Sequence, residues 1–296
     1  MKTSTQNAWA IAALMMGATF VASCKKDDTP ALPAIGGFNS SNEVASNNLK
    51  AHFPFDGSNN ERISGAAPTS AINAAFVMGA SGQRQALNLT SGYVYYPEIA
   101  ALNQANALPS FTISAWVNVK NNRLPTGDNP SMIFTMPRAD DWIGNVNILA
   151  ETGRYSAAND TLVVKGLLSQ RTANGDASNQ DSVNEPSKKG DQAFKGAGKW
   201  SHLVITYDGA TSMFVVYANG KKISNPEWEQ RGTTGPLNLR TPSRVLIGGF
   251  GTNLPGRTAD NWQKAMVGQI DEVRVYNKAL PIGDINALYQ LEAAGR

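Results

Sequence analysis

Val267-Gly268-Gln269-Ile270-Asp271-Glu272-Val273-Arg274-Val275-Tyr276-Asn277-Lys278-Ala279-Leu280 is the stretch on which the fold turns. Its β-branched residues alternate with charged or polar ones, the pattern of a long strand in a curved sheet. A two-residue period puts Gln269, Asp271, Val273 and Val275 on one face. Ile270, Glu272, Arg274 and Tyr276 fall on the other. A glycine at its start and Pro281 just past its end mark the boundaries. Asp271 stands mid-strand, where a carboxylate is disfavoured unless something pairs with it.

Outward from that stretch the chain is a series of short strands. Ser243 to Phe250 comes directly before it. Met213 to Ala218 pairs with Lys221 to Ile223 across Asn219-Gly220, the strongest short-range hairpin signal. Phe111 to Val119 sets Phe111, Ile113, Ala115, Val117 and Val119 on one face, with Thr112 and Trp116 opposite. In Leu49 to Phe55, His52 falls away from the apolar face and reads as a surface histidine. Ala86 to Tyr96 reads as two short strands around Ser91-Gly92. Ser131 to Met136, Gly144 to Ala150, Thr161 to Ser169 and Ser201 to Tyr207 are further strands. Ile282 to Leu291 is the one convincing helix, with Ile282, Ile285, Leu288 and Tyr289 on one face; at the chain end it is expected to cap a sheet edge. Many short strands with Gly, Pro and Asn turns predict an all-β, two-sheet antiparallel sandwich or jelly roll. Gln170 to Gly198 is polar and nearly free of apolar residues, so it reads as a functional loop or as disorder.

The 296 residues suffice for one large β domain or two smaller ones, and 42% hydrophobic content supports a substantial core. A net charge of +3 with no basic block leaves no electrostatic footprint for nucleic acid. Cys24 is the single cysteine, so no intrachain disulfide forms. The two histidines, His52 and His202, stand far apart in sequence, which argues against a zinc site or a Ser-His-Asp triad.

Residues 1–23 carry Lys2 and an apolar run from Ala8 to Val21, too short for a membrane span and suited to a signal peptide. Val21-Ala22-Ser23-Cys24 resembles a bacterial lipobox, in which Cys24 is lipidated and becomes the first mature residue. Its acyl chains would anchor the protein in a membrane at about 0.8 kcal/mol per buried methylene. Lys25-Lys26-Asp27-Asp28 resembles the surface-export signal of Bacteroidetes lipoproteins, or else begins a solvated tether. The resemblance implies a lipid-anchored protein of the outer membrane facing the cell exterior. Residues 24–48 are then a flexible linker rich in Pro, Gly, Ser and Asn, and residues 49–296 the domain.

Six segments resemble, in order, those of laminin-G-like, concanavalin A-like jelly rolls. They are Phe53 to Gly57, Phe111 to Val117, Trp200 to Asp208, Tyr217 to Gly220, Val245 to Gly249 and Gly268 to Tyr276. The resemblance spans most of the chain beyond residue 48 and implies two antiparallel sheets packed face to face, with first and last strands adjacent. Similar domains hold a structural Ca²⁺ there, and the matching carboxylates are Asp56 and Asp271. Where the family has an acidic residue before a Ser-Gly, this chain reads Glu61-Arg62-Ile63-Ser64-Gly65, and Arg62 could pair with Asp56 or Asp271 in place of a metal.

Related glycoside hydrolases carry Glu-x-Asp-x-x-Glu on a strand. Gln269-Ile270-Asp271-Glu272-Val273-Arg274 has Gln and Arg where the two glutamates belong, so no acid pair is expected and no catalytic residue is assigned. Asp140, Asp141 and Asp260 sit in loops from which carboxylates could be recruited. The expected function is a non-catalytic surface module recognising carbohydrate; the alternative is a protein-binding, adhesion or structural module of a surface complex. Trp116 and Trp200 lie in core-matching strands and read as packing. Trp142, Trp228 and Trp262 lie in polar loops and are the candidate sugar-stacking residues, with Tyr155 and Arg231 as companions.

Overall fold

The computed structural model describes residues 32–80, 84–123, 129–139, 141–171, 175, 177–185 and 193–296. The signal segment, Cys24, Lys25 to Asp28 and Asp140 lie outside the described residues, as do parts of the polar stretch 170–198. Thirteen strands and one α-helix form among the described residues. The strands are β1 (Leu49–Phe53), β2 (Ser70–Met78), β3 (Gln85–Glu98), β4 (Phe111–Asn118), β5 (Ser131–Thr135), β6 (Val146–Ala150) and β7 (Val164–Arg171). They continue with β8 (Ala177–Val183), β9 (Ser201–Asp208), β10 (Met213–Ala218), β11 (Lys221–Lys222), β12 (Arg244–Ile247) and β13 (Met266–Tyr276). The helix α1 spans Ile282–Ala293. The hydrogen-bonded path runs β11-β10-β9-β4-β13-β3-β12-β5-β6-β7-β8, with β1 added on β13 and β2 on β3.

One sheet becomes two layers because of β3. Its first half pairs with β13 through Leu87 to Gly92, and its second half pairs with β12 through Val94 to Glu98. Ser91 bends the chain between them at φ +60°. At Gly92 the β2 backbone comes so close that a Cβ would lie 2.3 Å from the Ile72 carbonyl oxygen. The two short strands expected around Ser91-Gly92 are therefore a single bent strand.

The core fills the space between the layers. Phe53, Leu89, Phe111, Ile113, Ile205 and Val275 meet Phe134, Ile148, Leu168 and Ile247 there, all buried. Each contributes about 1.5–3 kcal/mol through apolar surface removed from water. The hairpin at Asn219-Gly220 forms with both residues at positive φ, +48° and +72°, as its two-residue loop requires. Strands β2 and β8 were not legible in the sequence; β8, reading ASNQDSV, lies inside the polar stretch and pairs along β7.

The helix differs from the expected edge cap. Ile285, Leu288 and Leu291 bury against Val204, Val215, Tyr217 and Tyr276, which are the outward side chains of β9, β10 and β13. The helix thus covers the outer face of the first layer, and Ile282 is left 50% exposed. Residues 34–48 belong to the same compact unit. Val44 is fully buried in this cluster, Ser41 N donates to the Arg296 carbonyl (3.1 Å), and Asn48 Nδ2 donates to Asn277 (3.0 Å). That part of the segment read as a flexible spacer is held to the domain by apolar burial and these bonds.

Candidate functional site

A β-bulge reorganises the last strand. Glu272 takes φ +48°, and the pairing of β13 with β4 shifts between Asp271 and Arg274. The alternation slips by one residue, so Ile270 joins Val273 and Val275 in the core instead of sharing a face with Arg274. Arg274 is left on the outer face of the first layer beneath α1, 1% exposed. Its Nε donates to Glu292 Oε1 of α1 (2.7 Å), and its Nη2 donates to Glu272 Oε2 (2.8 Å) and Ser41 Oγ (3.1 Å). Glu292 Oε2 also accepts from Trp116 Nε1 at 2.8 Å. His52, read as a surface residue, is 1% exposed with Nε2 2.7 Å from Glu272 Oε2. The β1–β13 pairing sets His52 directly opposite Arg274, on this covered face, which accounts for the difference.

The charges of this network are set by burial and pairing. Burial alone would raise the Glu272 carboxyl, but the His52 hydrogen bond and the Arg274 charge outweigh it and hold it at about 2. Burial pushes Glu292 up to about 7 against the pull of Arg274. His202 lies fully buried against Trp116 and Tyr289, which also stack on each other, and burial depresses it to about 3. Its Nε2 stands 3.5 Å from Glu292 without hydrogen-bond alignment, so neither ring nitrogen has a hydrogen-bond partner among the described residues. Glu61, unassigned in the sequence, is fully buried and accepts from the backbone N–H groups of His52 (2.7 Å), Ile63 (2.9 Å) and Ser64 (2.6 Å). These are the fastenings of a β1 edge.

Asp56 and Asp271 lie beside that network, close enough to act on each other's charge. Arg84, not Arg62, pairs with Asp56 (3.2 Å) and reaches Glu272 (3.8 Å). Asp271 is 4% exposed; Oδ2 accepts from Ala80 N (3.3 Å) and Oδ1 from Glu272 N (3.0 Å). Burial and the Glu272 charge push its carboxyl up to about 8. Among the described residues no group of three or more His, Cys, Asp or Glu side chains is placed to hold a metal. The set on hand for a cation is two carboxylates and backbone oxygens, with Arg84 already supplying positive charge. Gln269, at the position of a catalytic glutamate in related hydrolases, accepts from Asn118 Nδ2 (3.0 Å).

The five aromatic and basic candidates separate into three groups. Trp142 and Trp262 pack edge to face, centroids 5.0 Å apart, and both pack on Phe250. They sit with Met132, Leu149 and Leu167, the side chains of β5, β6 and β7 that point away from the core. Trp228 lies elsewhere, with the Arg231 guanidinium 5.8 Å over its ring and Arg231 Nη1 3.7 Å from Asp181 of β8. Tyr155 lies in the β6–β7 connection, its carbonyl accepting from Arg123 N (3.0 Å).

Two clefts open on the outer face of the second layer. One, of 460 Å³, is lined by Trp142, Asp141, Thr252, Arg257, Asp260 and Gln263. The other, of 480 Å³, is lined by Tyr95, Arg138, Arg240, Pro242, Arg244 and Arg257. They meet at Ala139 and Arg257, which line both. Asp141 and Asp260 thus share a cleft, which their positions in separate loops did not indicate. The four arginines come from three connections and the start of β12, so no local sequence pattern announced them.

An antiparallel sheet curled into two layers around one core is the architecture of concanavalin A-like jelly rolls. The chain belongs to the concanavalin A-like lectin/glucanases superfamily, whose laminin-G-type family model matches residues 88–286. No curated protein matches it in sequence. Among solved structures it is similar to domain 4 of AbnA, a GH43 extracellular arabinanase from Geobacillus stearothermophilus in complex with arabinotriose. There the identity is 18% and the TM-score 0.50, covering 82% of this chain and 98% of that one. It is also similar to the binding domain of Paraclostridial Mosquitocidal Protein 1, at 16% identity and TM-score 0.55, covering 82% of this chain and 52% of that one. The receptor binding domain of botulinum neurotoxin D gives 12% identity and TM-score 0.53, covering 83% and 53%. The chain spans about half the length of these toxin domains, and at such identities the likeness is one of fold.

Proposed function

We propose that the chain is a non-catalytic recognition module that binds carbohydrate in the paired clefts on the outer face of the second layer. The observation that carries the reading is the Trp142 cleft. An indole, half-buried against Trp262 and Phe250, stands beside Thr252, Asp260 and Gln263. An aromatic face with converging hydrogen-bonding groups is what a pyranose or furanose ring requires. The arabinotriose held by the similar arabinanase domain supports the same ligand class. In this reading Cys24 anchors the module by lipid to the outer face of the outer membrane. A structural Ca²⁺ held by Asp56 and Asp271 is a separate proposal; the half-exposed Arg84 would swing aside to admit it.

Asp141 and Asp260 in one cleft favour glycoside hydrolysis as the second reading. Affinity electrophoresis against a polysaccharide panel, with reducing ends measured in the same incubations, separates the two. Binding without release of reducing ends is expected, and Trp142→Ala should weaken it at least tenfold while the circular dichroism spectrum stays folded. Release of reducing ends would overturn the non-catalytic reading, and binding to no member of the panel would overturn carbohydrate recognition.

A further inference from the structure

We infer that the cleft beside the Trp142 site is an oxyanion subsite, and that the ligand is an acidic saccharide whose uronate carboxylate or sulfate ester enters it. The inference rests on the carbohydrate-binding reading above and adds the chemical class of the sugar.

Among the described residues the cleft lining holds four arginines, Arg138, Arg240, Arg244 and Arg257, and no carboxylate. The whole chain carries a net charge of only +3, so this concentration is local. Glu98 and Asp141 offset the charge of Arg244 and Arg138 from the edges of the cleft, so its positive potential centres on Arg257, where a bound oxyanion would find its counter-charge. Arginine is also the side chain whose planar fork matches carboxylate and sulfate geometry.

The scaffold fixes these groups before any ligand arrives. Arg257 Nη1 donates to the backbone carbonyls of Arg138 (2.6 Å) and Gly251 (3.3 Å), so it is held by neutral acceptors that leave its charge uncancelled. Arg244 Nη2 donates to Glu98 (3.0 Å) and Nη1 to the Tyr95 hydroxyl (3.4 Å), with the guanidinium 6.0 Å over the Tyr95 ring. Its Nε is buried with no acceptor among the described residues. Arg138 is 6% exposed, its guanidinium bonded to Ser169 and 3.7 Å from Asp141. Asn145 clasps the Arg240 backbone from both sides, accepting from its N–H (3.0 Å) and donating to its carbonyl (2.8 Å).

The volume of 480 Å³ lies in the range of small-ligand sites. The Tyr95 ring and Pro242 give the cleft an apolar wall. At Arg257 it opens into the Trp142 cleft, so a sugar stacked on the indole can place the acidic group of a neighbouring unit among the guanidiniums. A short bounded cleft beside an aromatic site favours a saccharide over a nucleic acid, which would follow an extended basic stripe.

The test titrates the full chain at physiological salt with four probes: oligogalacturonate, the same oligomer with its carboxyls reduced to alcohols, dextran sulfate and single-stranded DNA. The expected result is at least tenfold tighter binding of oligogalacturonate or dextran sulfate than of the reduced oligomer. Whichever of the two binds tighter identifies the oxyanion. Arg244→Gln with Arg257→Gln should abolish that preference, and the lysine pair Arg244→Lys with Arg257→Lys should leave part of it, since charge is kept and the fork lost. Should the glutamine pair fail to fold, the probe comparison on the unaltered chain and the lysine pair still decide. Equal binding of acidic and reduced oligomers overturns the oxyanion subsite while carbohydrate recognition stands. Binding of no saccharide overturns both. DNA bound as tightly as the acidic saccharides overturns the saccharide assignment.

Discussion

His52 Nε2 lies 2.7 Å from Glu272 Oε2, a buried contact that ties β1 to the bulge of β13. The same carboxylate oxygen accepts from Arg274 Nη2 at 2.8 Å, so one atom serves a cross-strand pair and an ion pair together. Through Arg274 the contact reaches Glu292, and from there Trp116 of β4. The outer face of the first layer is fastened by this polar chain together with the apolar cluster that α1 forms on Val204, Val215, Tyr217 and Tyr276.

Replacing Arg274 by Met should be among the most destabilising single changes. It leaves Glu272 and Glu292 without their shared cation, and breaking a buried pair from one side costs about 3–5 kcal/mol. Urea unfolding should show the midpoint drop with an unchanged slope.

Stability should fall in acid, and His202 should be one cause. Its folded value is depressed to about 3, below the ordinary 6.5, so its contribution is complete above pH 6.5 and is lost as pH falls toward 3. Burial depresses His52 as well, with the same sign. Glu292, raised to about 7, acts oppositely: its contribution is present below about pH 4.5 and lost as pH rises through 7. His202→Phe should therefore flatten the acid limb without removing it and change neutral stability by less than about 1 kcal/mol, since neither ring nitrogen is hydrogen-bonded among the described residues. Melting temperatures of both proteins between pH 3 and pH 8 check the sign.

Trp262 and Trp228 should respond differently to alanine. Trp262 wedges against Trp142 and Phe250, so its loss should cost about 2–3 kcal/mol and disturb the Trp142 cleft. Trp228 carries Arg231 on its face at the end of a short 3-10 turn, and its loss should cost about 1 kcal/mol with sugar affinity unchanged. Chemical unfolding and glycan titration on both variants read the two effects separately.

Gly92→Ala should destabilise by about 2 kcal/mol or more. The added carbon would meet the Ile72 and Asn73 carbonyl oxygens at 2.3 and 2.6 Å, forcing the β2 backbone away at the point where β3 changes layers. The comparison control is Gly283→Ala on α1, where nothing lies within 4 Å of the new carbon.

Ca²⁺ in hundredfold excess over its dissociation constant should raise the melting temperature by about 5 °C over the EGTA control if Asp56 and Asp271 hold it. Asp271→Asn should erase the rise. An identical melting temperature in both solutions would leave Arg84 as the sole counter-charge and remove the metal proposal.

The strand pattern and its order were legible in the sequence because a two-residue period and an Asn-Gly turn are local properties. Phe111 to Val119 kept the faces its alternation assigned, and the Asn219-Gly220 hairpin formed where its φ requirement placed it. Six matching segments in order named the superfamily for the same reason. What only the tertiary structure decided depends on register between strands far apart in the chain. The bulge at Glu272 moved Ile270 into the core, the pairing of β1 with β13 buried His52 beside Glu272 and Arg274, and the curl of β3 set Arg244 and Arg257 beside Arg138, more than a hundred positions away. Side-chain alternation encodes which face a residue takes along its own strand; which distant charges share a cavity is fixed by how the layers close.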